Sequence, residues 1–150
     1  VLLAIFLSAL WFKITPQNEY NIPLLYTLNQ TYYVRNNEYE LGHKLFFNFS
    51  GYFFKKNNVE KYMPIKNGYI SGQATFSVST GTHENAITLR KNYSNKLFRY
   101  YVDNEKTGGF NTGVVNLPWI GFDKEYSDKE IYEMFDITQD EIKLIELNVD

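Results

Sequence analysis

Few side chains in this sequence could do chemistry by themselves. There is no cysteine and there are 2 histidines, so a thiolate zinc site, a disulfide framework and a cysteine nucleophile are excluded together. His43 stands between Gly42 and Lys44, and His83 lies in the polar stretch 79–85; neither has a nucleophile in a recognisable elbow to pair with. Both read as solvated residues. The carboxylates between Asp123 and Asp140 are dense enough to imitate a metal site, but they fall where helices start, and there the helix dipole favours negative charge. The glycines of Thr107-Gly-Gly-Phe-Asn-Thr-Gly113 could let backbone N–H groups approach a phosphate. However, the stretch lacks the Lys-Ser/Thr of a P-loop and the GxGxxG spacing, and an apolar stretch with a proline follows it. It reads as a surface turn.

Asn116-Leu-Pro-Trp119 has the parts of a base-modifying loop: an amide and a carbonyl to accept from a target amine, and a ring to stack on a flipped base. Leu117 stands where a further proline would fix the carbonyl, and no glycine-rich cofactor loop precedes it, so the motif is read as a decoy. Positive charge is the remaining signal. Lys44, Lys55, Lys56, Lys61, Lys66, Arg90, Lys91, Lys96 and Arg99 face only Glu60 and Glu84 between residues 41 and 99. They are interleaved with aromatic and amide side chains, the mixture that pairs phosphate contacts with base contacts.

The elements that must position these residues are strands first and helices later, which predicts an α+β fold: an antiparallel β-rich body, a central helix and a C-terminal pair of short helices. Thr31–Val34, Lys44–Phe49, Tyr52–Phe54, Tyr69–Ile70 and Thr75–Val78 read as strands, broken at Asn36-Asn37, Gly51, Asn57-Asn58, Asn67-Gly68 and Gly72. In Thr75–Val78 the alternation of Phe76 and Val78 with Thr75 and Ser77 suggests one wet face. From Glu84 to Tyr101 apolar residues recur in steps of three and four, so one helix or two short ones are expected there. Ser127-Asp-Lys-Glu130 and Thr138-Gln-Asp-Glu141 are both capping boxes ahead of apolar residues. The division expected is a β-rich recognition domain over 1–121 and an acidic helical tail over 122–150 packed on it.

A chain of 150 residues suits one domain, and its 18% aromatic content excludes a disordered segment. The net charge of −2 conceals an imbalance: residues 1–100 carry 11 Lys and Arg against 5 Asp and Glu, and residues 101–150 carry 4 against 12. Such asymmetry suggests a basic surface that meets an anion and an acidic end that does not. Val1–Phe12 is apolar but stops at Lys13, short of the roughly 20 residues a membrane span needs. It is expected to be a buried segment cut from a larger body, with no membrane partner. Three sequons start at Asn29, Asn48 and Asn92; glycosylated, they would fit an alternative reading as a secreted or viral structural β-rich domain without catalysis.

From Tyr62 to Glu146 the sequence resembles the C-terminal part of site-specific adenine-N6 DNA methyltransferases of restriction–modification type, including fused type IIG endonuclease–methyltransferases and viral relatives. Four blocks carry the likeness. Gly68-Tyr-Ile-Ser-Gly72 leads into Phe76-Ser-Val78; Asn85-Ala86 and Leu89 precede Ser94-Asn-Lys-Leu-Phe-Arg99; and Thr107-Gly-Gly-Phe110 is followed by Leu117-Pro118. The closing block is the most specific. It runs through Phe122-Asp-Lys-Glu-Tyr-Ser-Asp128, Glu130-Ile-Tyr132, Phe135 and Ile137-Thr-Gln-Asp-Glu-Ile142 to Ile145-Glu146.

The resemblance implies a target-recognition region that binds double-stranded DNA. Catalysis and S-adenosylmethionine would belong to an upstream methyltransferase domain, with no cofactor or catalytic residue in this chain, in the cytoplasm of a prokaryote or a virus-infected host. It carries over no DNA-reading residues. The residue types nominate Lys55, Lys56, Lys66, Arg90, Lys91 and Arg99 for phosphates, and Asn111 in the Thr107–Gly113 loop for a groove. Charge reversal of Arg90 and Lys91 is expected to weaken duplex binding.

Overall fold

Aromatic and β-branched runs build two small sheets in the computed structural model, which describes residues 12–35 and 38–149. The first sheet contains β1 (Phe12–Lys13), β2 (Tyr20–Thr27), β3 (Gln30–Arg35) and β6 (Ile70–Ser71), in the order β1-β3-β2-β6. The second contains β4 (His43–Asn48), β5 (Ile65–Asn67) and β7 (Thr75–Gly81), in the order β5-β4-β7. The pairings are antiparallel, apart from the short parallel match of β2 with β6. Helices α1 (Val59–Tyr62), α2 (His83–Tyr93), α3 (Lys96–Asn104), α4 (Asp128–Met134) and α5 (Gln139–Asn148) complete an α+β fold.

Strand β4 shows why the core sits where it does. Successive side chains of a strand point to opposite faces. Leu45 and Phe47 join the main core with Phe53, Met63, Leu89, Phe98, Val102 and Ile131, while Phe46 between them is equally buried. Both faces of β4 are therefore covered, and its sequence reads as an unbroken apolar run. The acidic end is part of the same body, because Ile131 of α4 lies in that core and Phe122, Tyr126 and Phe135 pack against it.

Two expectations change, while the break at Asn67-Gly68 forms as read: Gly68 (φ +75°) turns the chain from β5 in one sheet to β6 in the other. Tyr52–Phe54 forms no strand; it is an irregular stretch whose Phe53 and Phe54 are buried without ladder hydrogen bonds to hold them. Thr75 does not lie on a wet face. It is buried, and its hydroxyl donates to Leu25 O at 2.8 Å, beside the Gly72 N–H that donates to the same carbonyl at 2.9 Å. The Thr75 bond ties β7 of one sheet to β2 of the other, while the Gly72 bond extends the pairing of β6 with β2. Val1–Trp11 and Asn36-Asn37 lie outside the described residues. No helix among the described residues is long and apolar enough to cross a membrane.

Candidate nucleic-acid interface

The fold treats the basic residues unequally. Lys44 is buried, and its ammonium donates to the carbonyls of Glu40 and Tyr69; desolvation, partly offset by Glu40, lowers its pKa. Arg90 reaches Glu60 at 2.9 Å, with its side chain only 16% exposed. Lys91 pairs with Glu125, and Lys96 with Glu146. Arg99 sits over the Phe54 ring, 3.7 Å from Asp103, and its side chain is 12% exposed. Acidic residues beyond position 100 thus pair with three members of the basic stretch: Lys91, Lys96 and Arg99. Arg90 and Arg99 are paired and largely covered, whereas Lys91 is paired with Glu125 but stays 54% exposed. Lys55, Lys56, Lys61 and Lys66 differ: each has no ion pair within 4.0 Å among the described residues. Lys56 is near enough to Glu146 to add to the fall in that carboxyl's pKa, which the Lys96 hydrogen bond dominates.

Two of the nominated features meet at one corner. The Thr107–Phe110 turn closes with mutual backbone bonds of 3.1 and 3.2 Å around Gly108 (φ +59°) and Gly109 (φ +85°). Two successive left-handed residues make the turn that suits a tight hairpin, and glycine adopts it without steric cost. Gly51 N–H donates to Gly109 O, and Ser50 forms a bridge with Phe110, so the turn lies on the end of β4. Phe110 stacks on Phe49 with centroids 4.8 Å apart and stays 44% exposed. Next in the chain from Gly51, Tyr52 is 53% exposed and carries the Lys55 ammonium 4.2 Å from its ring centre. The Lys106 ammonium is 6.0 Å from the same ring and 2.8 Å from Asp103. The corner therefore offers two exposed rings, the unpaired Lys55 ammonium and a glycine turn that has no side chains to block approach. Tyr52 and Lys106 were not legible as site residues; their sequence signal was only their closeness to lysines and glycines.

Asn111 is a correction. It is fully buried, its amide donates to Asn48 O at 2.9 Å, and its N–H donates to Phe49 O at 2.7 Å. It fastens the turn to β4 and presents nothing to a groove. Asn92 and Asn95 play a comparable part that sequence reasoning missed. Asn92 is completely buried; its amide nitrogen donates to Gly121 O (3.2 Å) and Lys124 O (2.9 Å), and its oxygen accepts from Tyr126 N–H (2.9 Å). Asn95 adds a bond to Tyr126 O at 3.2 Å. The Asn92 sequon is thereby closed to glycosylation.

The other chemical candidates are occupied or incomplete. His43 and His83 meet edge to face with centroids 5.7 Å apart, but no group of three or more metal-ligating side chains occurs among the described residues. In Asn116–Trp119, the Pro118 carbonyl already accepts the Tyr93 hydroxyl at 3.0 Å. Burial pushes that hydroxyl's pKa up to about 12. No protein-family model, curated protein or solved structure matches this chain.

Proposed function

We propose that this chain is the DNA-binding, target-recognition part of a site-specific adenine-N6 DNA methyltransferase or fused restriction enzyme. Catalysis and S-adenosylmethionine belong to a methyltransferase domain outside this chain. The observation that carries the reading is the sorting of charge: the lysines left without acidic partners fall between residues 55 and 66, and that stretch begins at the corner holding Tyr52, Phe110 and the glycine turn. Lys55, Lys56 and Lys66 are the phosphate contacts, which position the protein without reading sequence. The stretches that carry the second and closing blocks of the resemblance pack together in the fold. Asn92 and Asn95 hold residues 121–126, and Lys96 N–H donates to Asp128 Oδ1 at 2.9 Å at the start of α4.

The test is fluorescence anisotropy of a labelled duplex with the intact chain across a salt series. Three phosphate contacts give a slope of about −2.7 in log K against log[salt], hence roughly 40-fold weaker binding at 200 mM than at 50 mM salt. Absence of binding at the low-salt end, or binding indifferent to salt, would overturn the proposal.

A further inference from the structure

We propose that Phe110 and Tyr52 form a stacking ledge for an unpaired nucleobase, so that this corner holds unstacked DNA in preference to intact duplex. The inference rests on the DNA-binding reading above and adds which form of DNA the corner takes. Phe110 has one face covered by Phe49 at 4.8 Å, so its exposed 44% is the opposite face and edge. Apolar ring surface left in water beside a glycine turn gains most from a flat partner, and a base inside a duplex has both faces occupied by its neighbours. Only an unstacked base can offer one.

Access to Phe110 is open. A Cβ built on Gly109 meets nothing within 4 Å, and one on Gly108 comes only within 3.9 Å of the Phe110 ring. The charges are placed to match. Lys55 lies over the Tyr52 ring at 4.2 Å without an acidic partner, so a base that takes its place on the ring leaves the ammonium free for the adjoining phosphate. Lys106, 6.0 Å from that ring, is paired with Asp103, so Lys55 is the ammonium left for the phosphate. Aromatic rings interleaved with cations are the pattern by which proteins hold single strands with little regard to sequence. An acidic polypeptide satisfies the lysines and leaves both rings without a stacking partner.

The experiment uses the intact chain and three short DNAs carrying 2-aminopurine: a matched duplex, the same duplex with the probe base unpaired, and the single strand. The probe's fluorescence falls when it stacks on a ring. The unpaired and single-stranded forms are expected to bind about tenfold tighter than the matched duplex, with quenching of the probe. Phe110→Ala and Tyr52→Ala should each bring that ratio towards one, and Phe110→Tyr should restore it. Thermal melts identify any variant that has lost its fold, and Phe110→Tyr, which keeps the ring, remains informative in that event. Equal binding of matched and unpaired DNA would overturn the inference, as would a ratio unmoved by Phe110→Ala, or poly-glutamate competing as well as DNA of equal charge. In those outcomes a salt-dependent duplex affinity still supports the DNA-binding reading. Failure to bind any of the three DNAs removes both.

Discussion

Asn92 is the position where one side chain holds the most structure. Replacing it by alanine removes three hydrogen bonds, to Gly121 O, Lys124 O and Tyr126 N–H, at a site with no exposure to water. A buried hydrogen bond contributes about 1 kcal/mol net, and more when its partner is left unsatisfied, so the loss should be about 3–4 kcal/mol. That is a large share of the roughly 5–15 kcal/mol that keeps a domain folded. For a chain of this size each kcal/mol moves Tm by about 2–4 °C, which places Asn92→Ala about 10 °C below the native protein. Asn92→Asp keeps the acceptor for Tyr126 but turns a carboxylate oxygen towards two carbonyls, and should melt no higher than the alanine variant. Melting followed by circular dichroism checks both values. A fall of less than about 2 °C for Asn92→Ala would refute the reasoning, because residues 121–126 would then be held by something other than this amide.

Acid should loosen the C-terminal helices. Hydrogen bonds from Lys124 and Ser127 lower the Glu130 carboxyl to about pH 2, against 4.5 for the free group, and Thr138 lowers Glu141 in the same direction. A carboxylate with a depressed folded pKa contributes its stability above the unfolded value and loses it as pH falls through the folded one. The Tm gap between native protein and Glu130→Gln should therefore be open at neutral pH and close between about pH 4.5 and 2; a constant gap contradicts the Lys124 and Ser127 contacts to the charged carboxylate. Gly72→Ala should destabilise by about 1–3 kcal/mol, because its Cβ would lie 2.8 Å from Tyr26 Cα and force β6 away from β2. Urea denaturation measures that loss, and an unchanged midpoint would show that the junction can give.

Local signals were legible and long-range ones were not. Both capping boxes form as read, with Ser127 and Thr138 accepting from Glu130 and Glu141 N–H while each Glu reaches back. Everything a capping box needs lies within four residues. The three-and-four spacing after Glu84 resolves into α2 and α3, parted at Ser94-Asn95. Strand β2 was missed because Asn21 and Pro23 break its pattern. Pro23 is tolerated there because pairing with β6 begins only at Leu24. The aromatic run Tyr52–Phe54 imitated a strand because rings suit sheets and cores alike.

At the site, charge in sequence was a poor guide to charge on the surface. The acidic residues that neutralise Lys91, Lys96 and Arg99 lie 34, 50 and 4 positions further on, and only the last is within reach of a local rule. Asn111 failed for a related reason, since an amide suited to a base edge is equally suited to two backbone groups of β4.

In the proposed function, DNA meets the lysines that the fold leaves unpaired, not those it pairs. The most direct measurement compares salt slopes of duplex binding for Lys55→Ala/Lys56→Ala/Lys66→Ala and for Lys91→Ala. The triple variant should lose about 2.7 from the slope, while Lys91→Ala, whose charge is engaged by Glu125, should leave it nearly unchanged. A triple variant with the native slope, or a Lys91→Ala variant that loses as much as one full contact, would contradict it.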